Sequence, residues 1–192
     1  MLEVAGQGEP PLAEVNNLTV RFVNREATVH AVNGVSFSVR PGEVLCILGE
    51  SGSGKSVTLR ALLRLLPRQA RIAGRVRVCG ENVLAMPPAA LRDLRGGLVS
   101  MVFQEPMTAL DPVYTVGQQI IETIRRHTHI GQTAARARAL ELLELVCIPS
   151  AARRLDAYPH ELSGGLRQRA MIAMALSCDP RLLLADEPTT AL

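Results

Sequence analysis

The apolar run VLCIL, residues 44–48, leads into GESGSGKS, residues 49–56, whose last residue opens SVTLRALLRLL, residues 56–66. Gly49, Gly54, Lys55 and Ser56 have the spacing G-x-x-x-x-G-K-[ST], in the strand-then-helix setting that this pattern requires. A continuous apolar run of this length predicts a strand buried on both faces of a parallel sheet. The apolar spacing after the loop predicts a helix that stops at Pro67. Glycines let the backbone of Gly49, Glu50, Ser51, Gly52, Ser53 and Gly54 wrap closely, so that N–H groups and the positive helix end, through Lys55, Ser56 and Val57, face phosphate oxygens. Lys55, the only lysine in the chain, supplies a compact charge to β/γ phosphates, and Ser56 offers a hydroxyl to Mg²⁺.

A second apolar run, RLLLA, leads into Asp186 and Glu187. After a phosphate-binding loop, a buried strand ending in Asp suits Mg²⁺ held through its water shell, and the adjacent acid suits proton removal from attacking water. Asp186 takes the first role and Glu187 the second. In LSGGLRQR, Ser163 precedes Gly164 and Gly165 at a predicted helix start, which makes a second anion-binding helix end. One nucleotide does not need two such cradles from one chain. A head-to-tail pair of subunits, each offering this end to the nucleotide on the other's loop, uses both.

The remaining pattern is mixed α/β. NNLTVRF and HAVNGVSFSV predict strands joined by the polar VNREAT, RPGE a turn, and GRVRVCGENV a strand and turn in a small peripheral sheet. LVSMVF, Leu98 to Phe103, predicts a core strand ending at Gln104. From about Thr115 to Leu155 the pattern is helical, with a capping box at Thr115 and Gln118 and a helix stop at Gly131. No stretch approaches the apolar length of a membrane span, so any membrane role comes through a partner. A net charge of +3 and 3% aromatic content argue against nucleic acid as a partner. Cys46, Cys79, Cys147 and Cys178 form no C-x-x-C pair and read as reduced, mostly buried thiols. His127 and His129 read as surface residues, and His160 as ordering the turn before LSGG.

GESGSGKS, VFQEP, LSGGLRQR and LLLADEP, in this order, resemble the nucleotide-binding domain of an ABC transporter over nearly all of the chain beyond the first dozen residues. The resemblance implies a P-loop NTPase core with a mainly parallel sheet, a small antiparallel β subdomain and an inserted helical subdomain at about 112–165, using ATP and Mg²⁺. It implies that Gln104 reaches Mg²⁺ or the attacking water and links to the membrane subunit. Ser163, Gly164 and Gly165 would clamp the γ-phosphate of the opposing subunit, and an aromatic near the first strands, for which Phe22 is the candidate, would stack on adenine. FQEPMTALDPVYTVGQQI and YPHELSGGLRQRAMIAMALSCDP are similar to the dipeptide, oligopeptide and glutathione importer branch, with Leu166 where the general signature has Gln. That branch implies permease subunits, a second ATP-binding subunit and, indirectly, a periplasmic binding protein as partners, at the cytoplasmic face of a bacterial inner membrane.

Two other readings compete. DNA-repair and chromosome ATPases of the same class place long coiled coils between the two glycine motifs, and no sustained heptads occur here. A non-hydrolytic nucleotide-binding fragment, or the first half of a tandem ATPase, is the stronger alternative. After TTAL the family pattern continues with a D-loop Asp, more core strands and a switch His, so residues 1–192 alone are expected to bind nucleotide weakly, turn over little and expose an apolar sheet edge.

Overall fold

The computed structural model describes residues 9–24, 27–105 and 109–188. Part of the polar link between the first two strands, part of the segment after Gln104 and all of the closing TTAL lie outside these residues. The chain divides into two compact units, Met1–Arg92 and Asp93–Leu192.

In the first unit, β1 (Ala13–Val23), β2 (Thr28–Val39), β3 (Ala70–Val78) and β4 (Glu81–Asn82) form an antiparallel sheet in the order β2-β1-β3-β4. Alternation places Val15, Leu18, Val20, Val32, Val76 and Val78 in its core. Register breaks at Asn17, whose φ is +50°, and Gly74 opposite has φ +103°. A Cβ at Gly74 would lie 2.4 Å from the Asn17 carbonyl oxygen, so the bulge requires glycine there. Helix α1 (Lys55–Leu62) lies against β1, β2 and β3 and buries Ala61 and Leu62.

Helix α1 ends before Pro67. Arg64 takes φ +50°, and the N–H groups of Arg64 and Leu65 donate to Ala61 O at 3.1 Å and Arg60 O at 2.8 Å, closing the helix in a Schellman motif. The Arg64 guanidinium then donates to the carbonyls of Val83 and Met86 at 3.3 and 2.7 Å. These bonds offset the steric cost of a side chain at a position usually given to glycine.

Val44–Leu48, expected as a buried strand, belongs to neither sheet among the described residues, and Val44 and Leu48 are 93% and 88% exposed. An apolar run becomes a central strand only when neighbours on both edges take its N–H and C=O groups. Cys46 is exposed with it and Cys147 is exposed at a helix end, while Cys79 and Cys178 are half-buried. The expectation of mostly buried thiols is therefore corrected: hydrophobic character alone does not bury a residue in a segment that no described residue covers.

In the second unit, β5 (Val99–Val102) and β6 (Leu182–Ala185) pair in parallel. The unit begins at the end of α2 (Pro88–Asp93), and between its strands run α3 (Val116–His127), α4 (Gln132–Leu145), α5 (Ala151–Leu155) and α6 (Gly164–Leu176). Val116, Ile120, Ile121 and Ile124 of α3 meet Ala135, Ala139, Leu142 and Leu143 of α4 and Ala170 and Ala173 of α6 in one apolar cluster. A Cβ at Gly117 would lie 2.6 Å from the Leu155 carbonyl oxygen, so glycine sets the closeness of α3 to the end of α5.

The capping box forms as expected: Gln118 N donates to Thr115 Oγ1 at 3.2 Å, and Thr115 N donates to Gln118 Oε1 at 2.9 Å. Gly131 corrects its expectation. Helix α3 already ends at His127, and Gly131, with φ −73°, is the N-cap of α4. Glycine serves both ends of helices, and its sequence position alone does not say which.

His127 is half-buried rather than a free surface residue, whereas His129 is exposed. A Cβ at Gly96, φ +81°, would lie 2.7 Å from His127 Nε2, so the imidazole packs on the Gly96–Gly97 backbone. Burial, joined by the Arg126 guanidinium, pushes the His127 pKa below its usual value against an opposing pull from Asp93. The neutral form is thus favoured in the folded state. Its stabilisation is full above about pH 6.5 and is lost as pH falls from there through the lowered folded value. His127→Gln is expected to flatten that part of the stability-versus-pH curve in urea titrations.

Thr115→Ala removes one half of the capping box and is expected to cost about 1 kcal/mol. Ile120→Ala, in the fully buried cluster, is expected to cost about 2–5 kcal/mol. Denaturant midpoints of both variants check the order.

Candidate functional site

In the first unit the glycine loop is shaped by its own backbone. Gly52 and Gly54 take φ +80° and +91°, and a Cβ at Gly54 would stand 2.3 Å from the Ala31 carbonyl oxygen. A Cβ at Gly49 would meet Ser53 Oγ at 2.5 Å. Two of these glycines therefore answer to close approach within the chain, and Gly52 and Gly54 also to a left-handed backbone. Ser53 N donates to Glu50 O at 3.2 Å, which tightens the loop across Glu50, Ser51 and Gly52. Lys55 opens α1 and turns its Nζ back onto the loop, donating to Gly49 O at 2.7 Å and Glu50 O at 2.9 Å. The ammonium is thereby held on the inside of the loop, with Ser56 and Val57 following in the first helical turn. Thr58 is tied to Gly54 O through both its N–H and its hydroxyl, at 2.8 and 2.9 Å.

In the second unit the parallel ladder continues one rung past β6, with Asp186 N donating to Val102 O at 2.9 Å. The pairing of Val102 with Ala185 then sets Gln104 level with Glu187, and Gln104 Nε2 donates to Glu187 Oε2 at 2.8 Å. Asp186 is only 2% exposed. Glu187 takes φ +48°, a left-handed conformation that a non-glycine residue before proline seldom adopts. The carbonyl of Pro188 accepts from Gln168 Nε2.

Ser163 is the N-cap of α6, its hydroxyl accepting from Leu166 N at 3.4 Å. Among the described residues a Cβ at Gly164 would meet nothing within 4 Å, so their packing does not demand glycine there. Leu166 packs against the helical apolar cluster, which accounts for an apolar residue at that position. The turn before Ser163 is ordered by Glu161 Oε2, which accepts from Tyr158 N at 2.7 Å, and by the Tyr158 and His160 rings stacked 5.6 Å apart.

Of the expected site residues, the structure brings together Gly49, Glu50 and Lys55 in one unit, and Gln104 and Glu187 in the other. Phe22 is half-buried on β1, opposite Val29 and Ala70. Gln168 was not expected; its signal in the sequence was a polar residue on the otherwise apolar stripe of Met171 and Ala175. Among the described residues no cluster of three or more His, Cys, Asp or Glu is placed to hold a metal by itself. No helix of the described residues is long and apolar enough to cross a membrane.

A glycine-shaped loop on whose carbonyls the first lysine of the following helix folds back, in a chain whose parallel strand runs into two acids, defines a nucleotide-binding cassette of the P-loop class. The family described as ABC transporter matches residues 32–190, and the chain belongs to that family. It is 51% identical over 183 residues to a probable peptide ABC transporter ATP-binding protein, y4tR of Sinorhizobium fredii, covering 94% of this chain and 55% of the relative. It is 52% identical to the oligopeptide transport ATP-binding protein OppD of Mycobacterium tuberculosis and to the peptidoglycan transport ATP-binding protein YejF of Agrobacterium fabrum, covering 95% of this chain in each case but 30% and 34% of theirs. The chain thus spans about half or less of the length of these relatives. Among solved structures, the dimeric post-hydrolysis state of the ATP-binding cassette MJ0796 bound to ADP and Pi matches with TM-score 0.84 and 30% identity, over 94% of this chain and 75% of that one. CbiO1 from Clostridium perfringens, part of a CbiONQ transporter complex, matches with TM-score 0.72 and 26% identity, over 96% and 68%.

Gly54→Ala is expected to lower the affinity for an ATP analogue by at least about tenfold, because a clash with the Ala31 carbonyl must be relieved by moving the loop. Equilibrium binding of a fluorescent analogue, with circular dichroism as a check on the fold, measures this.

Proposed function

We propose that the chain is the ATP-binding part of an ATPase that drives a bacterial peptide importer. The observation that carries this reading is the Lys55 ammonium held inside the glycine loop on Gly49 O and Glu50 O. A cation kept there by two neutral carbonyls can be taken over by β/γ-phosphate oxygens while the loop N–H groups bind the rest of the chain of phosphates. The backbone of Gly49, Glu50, Ser51, Gly52, Ser53 and Gly54, with Lys55, Ser56 and Val57, would form that cradle, and Phe22 would stack on adenine. The peptide class is supported by the relatives named for peptide and oligopeptide transport.

Ser56, Asp186 and Gln104 offer hydroxyl, carboxylate and amide oxygens, the hard donors that suit Mg²⁺. When bound, this ion would neutralise charge on the β- and γ-phosphates. Glu187 is the proposed base: as water oxygen bonds to the γ-phosphorus and the bond to the bridging oxygen breaks, its carboxylate takes the water's proton, releasing ADP and phosphate. The Gln104 bond at 2.8 Å orients that carboxylate.

Ser163, Gly164 and Gly165 would receive the γ-phosphate of a second ATP-binding subunit in a head-to-tail dimer. The exposure of Gly164, over which no described residue lies within 4 Å of a Cβ position, supports this, since it leaves room for an outside anion at the helix start. That one of the similar cassettes is dimeric, with ADP and Pi bound, supports a pair of ATP-binding subunits. The helical subdomain at about 112–165 would meet permease subunits at the cytoplasmic face of the inner membrane, with a periplasmic binding protein acting through them.

The test uses the full-length ATPase assembled with its permease. Lys55→Ala is expected to reduce turnover by 10²-fold or more, because a charge that stabilises the transition state is lost. Glu187→Gln should retain ATP binding, lose turnover and accumulate as an ATP-bound dimer, which Ser163→Arg added to it should disperse. Near-normal turnover in either single variant would overturn the assignment, as would sizing that finds only monomers of Glu187→Gln with ATP.

A further inference from the structure

Gln168 is 0% exposed, the most deeply buried of the polar side chains among the described residues. It lies on α6, five residues after Ser163, on the same stripe as the buried Met171 and Ala175. A carboxamide in such a place costs free energy unless its polar atoms are met, whereas Met or Leu would fill the same volume without that cost. Its Nε2 donates to the carbonyl of Pro188, the residue directly after Glu187.

Glu187 needs to be held. Its φ of +48° ahead of a proline persists only if the surroundings over-determine it. On one side the hold is the ladder rung from Asp186 N to Val102 O. On the other it is the Gln168 bond to Pro188, and Gln104 fixes the carboxylate itself.

We infer that Gln168 is a positioning residue for Glu187, joining the helix whose first turn carries Ser163 and Gly164 to the backbone that carries the base. The inference rests on the reading of Glu187 given above. It has a consequence for the head-to-tail dimer: a γ-phosphate seated at Ser163 of one subunit bears, through α6 and Gln168, on that same subunit's Glu187. Occupancy of one site would thus set the geometry of the other.

The experiment again uses the full-length ATPase with its permease. Gln168→Met keeps length and approximate volume but removes the donor. Turnover is expected to fall at least about tenfold from misplacement of Glu187, while KM and the dissociation constant for ATP change by less than about twofold, since ground-state binding is untouched. On a Glu187→Gln background the same change is expected to leave residual turnover where it was, because Gln168 acts through Glu187. Should Gln168→Met fail to fold, Gln168→Glu carries the test: it donates only while its carboxyl is protonated, so its turnover relative to the parent should drop as pH rises. With ionisation of the new carboxyl followed by infrared difference spectroscopy, a ratio that does not move as the carboxyl ionises would overturn the inference. Normal turnover in Gln168→Met beside an inactive Glu187→Gln would overturn the positioning role alone, as would equal losses from Gln168→Met on both backgrounds. Normal turnover in Glu187→Gln would overturn the reading of the base and this inference with it.

Discussion

The hydrogen bond from Asp186 N to Val102 O, 2.9 Å long, is the rung on which the second unit's chemistry depends. It extends the parallel register of β5 and β6 just beyond the strands and so sets Gln104 level with Glu187. Because side chains alternate faces along a strand, a slip of one residue would set Gln104 level with Asp186 or Pro188 instead of Glu187. The apolar residues Leu182 and Leu184, buried where Leu183 is not, hold that register against a slip.

Around this rung the polar side chains are tied to one another or to backbone carbonyls. Gln104 meets Glu187, Gln168 meets Pro188, and Arg169 donates to the carbonyls of Val146 and Cys147 at 3.2 and 2.8 Å, closing the end of α4. Two neighbouring residues of α6 therefore reach in two directions, one toward the acids and one toward the helical cluster. A buried group deprived of its partner costs more than the bond contributes, so such ties specify position more than they add stability. The glycine loop of the first unit uses the opposite device. Its shape comes from missing side chains, at Gly49 and Gly54 above all, where a Cβ would collide with Ser53 or Ala31.

What could be read from the sequence was local or periodic. The loop GESGSGKS, the capping box at Thr115 and Gln118, the helical pattern from about Thr115 to Leu155 and the apolar run leading into Asp186 each depend on residues within a few positions of one another. Val44–Leu48 could not be read in the same way, since whether an apolar run becomes a central strand depends on neighbours far away in the chain. Gly131 fits a helix stop and a helix start equally well on sequence, and only the early end of α3 at His127 decided between them. The burial of His127 follows from two glycines about thirty residues earlier, which no local pattern relates to it.

The sequence by itself determined the chemistry available: one lysine at a phosphate-binding loop, two acids after an apolar run, and a serine and glycines at a helix start. These are short-range facts, because backbone geometry and side-chain type are local properties. Tertiary structure alone decided which of these groups meet. The Gln104 to Glu187 bond spans 83 residues and the Gln168 to Pro188 bond joins a helix to the segment past a strand. Such pairings exist only once sheet register and helix packing are set by burial of apolar surface, a property of the whole unit rather than of any stretch within it.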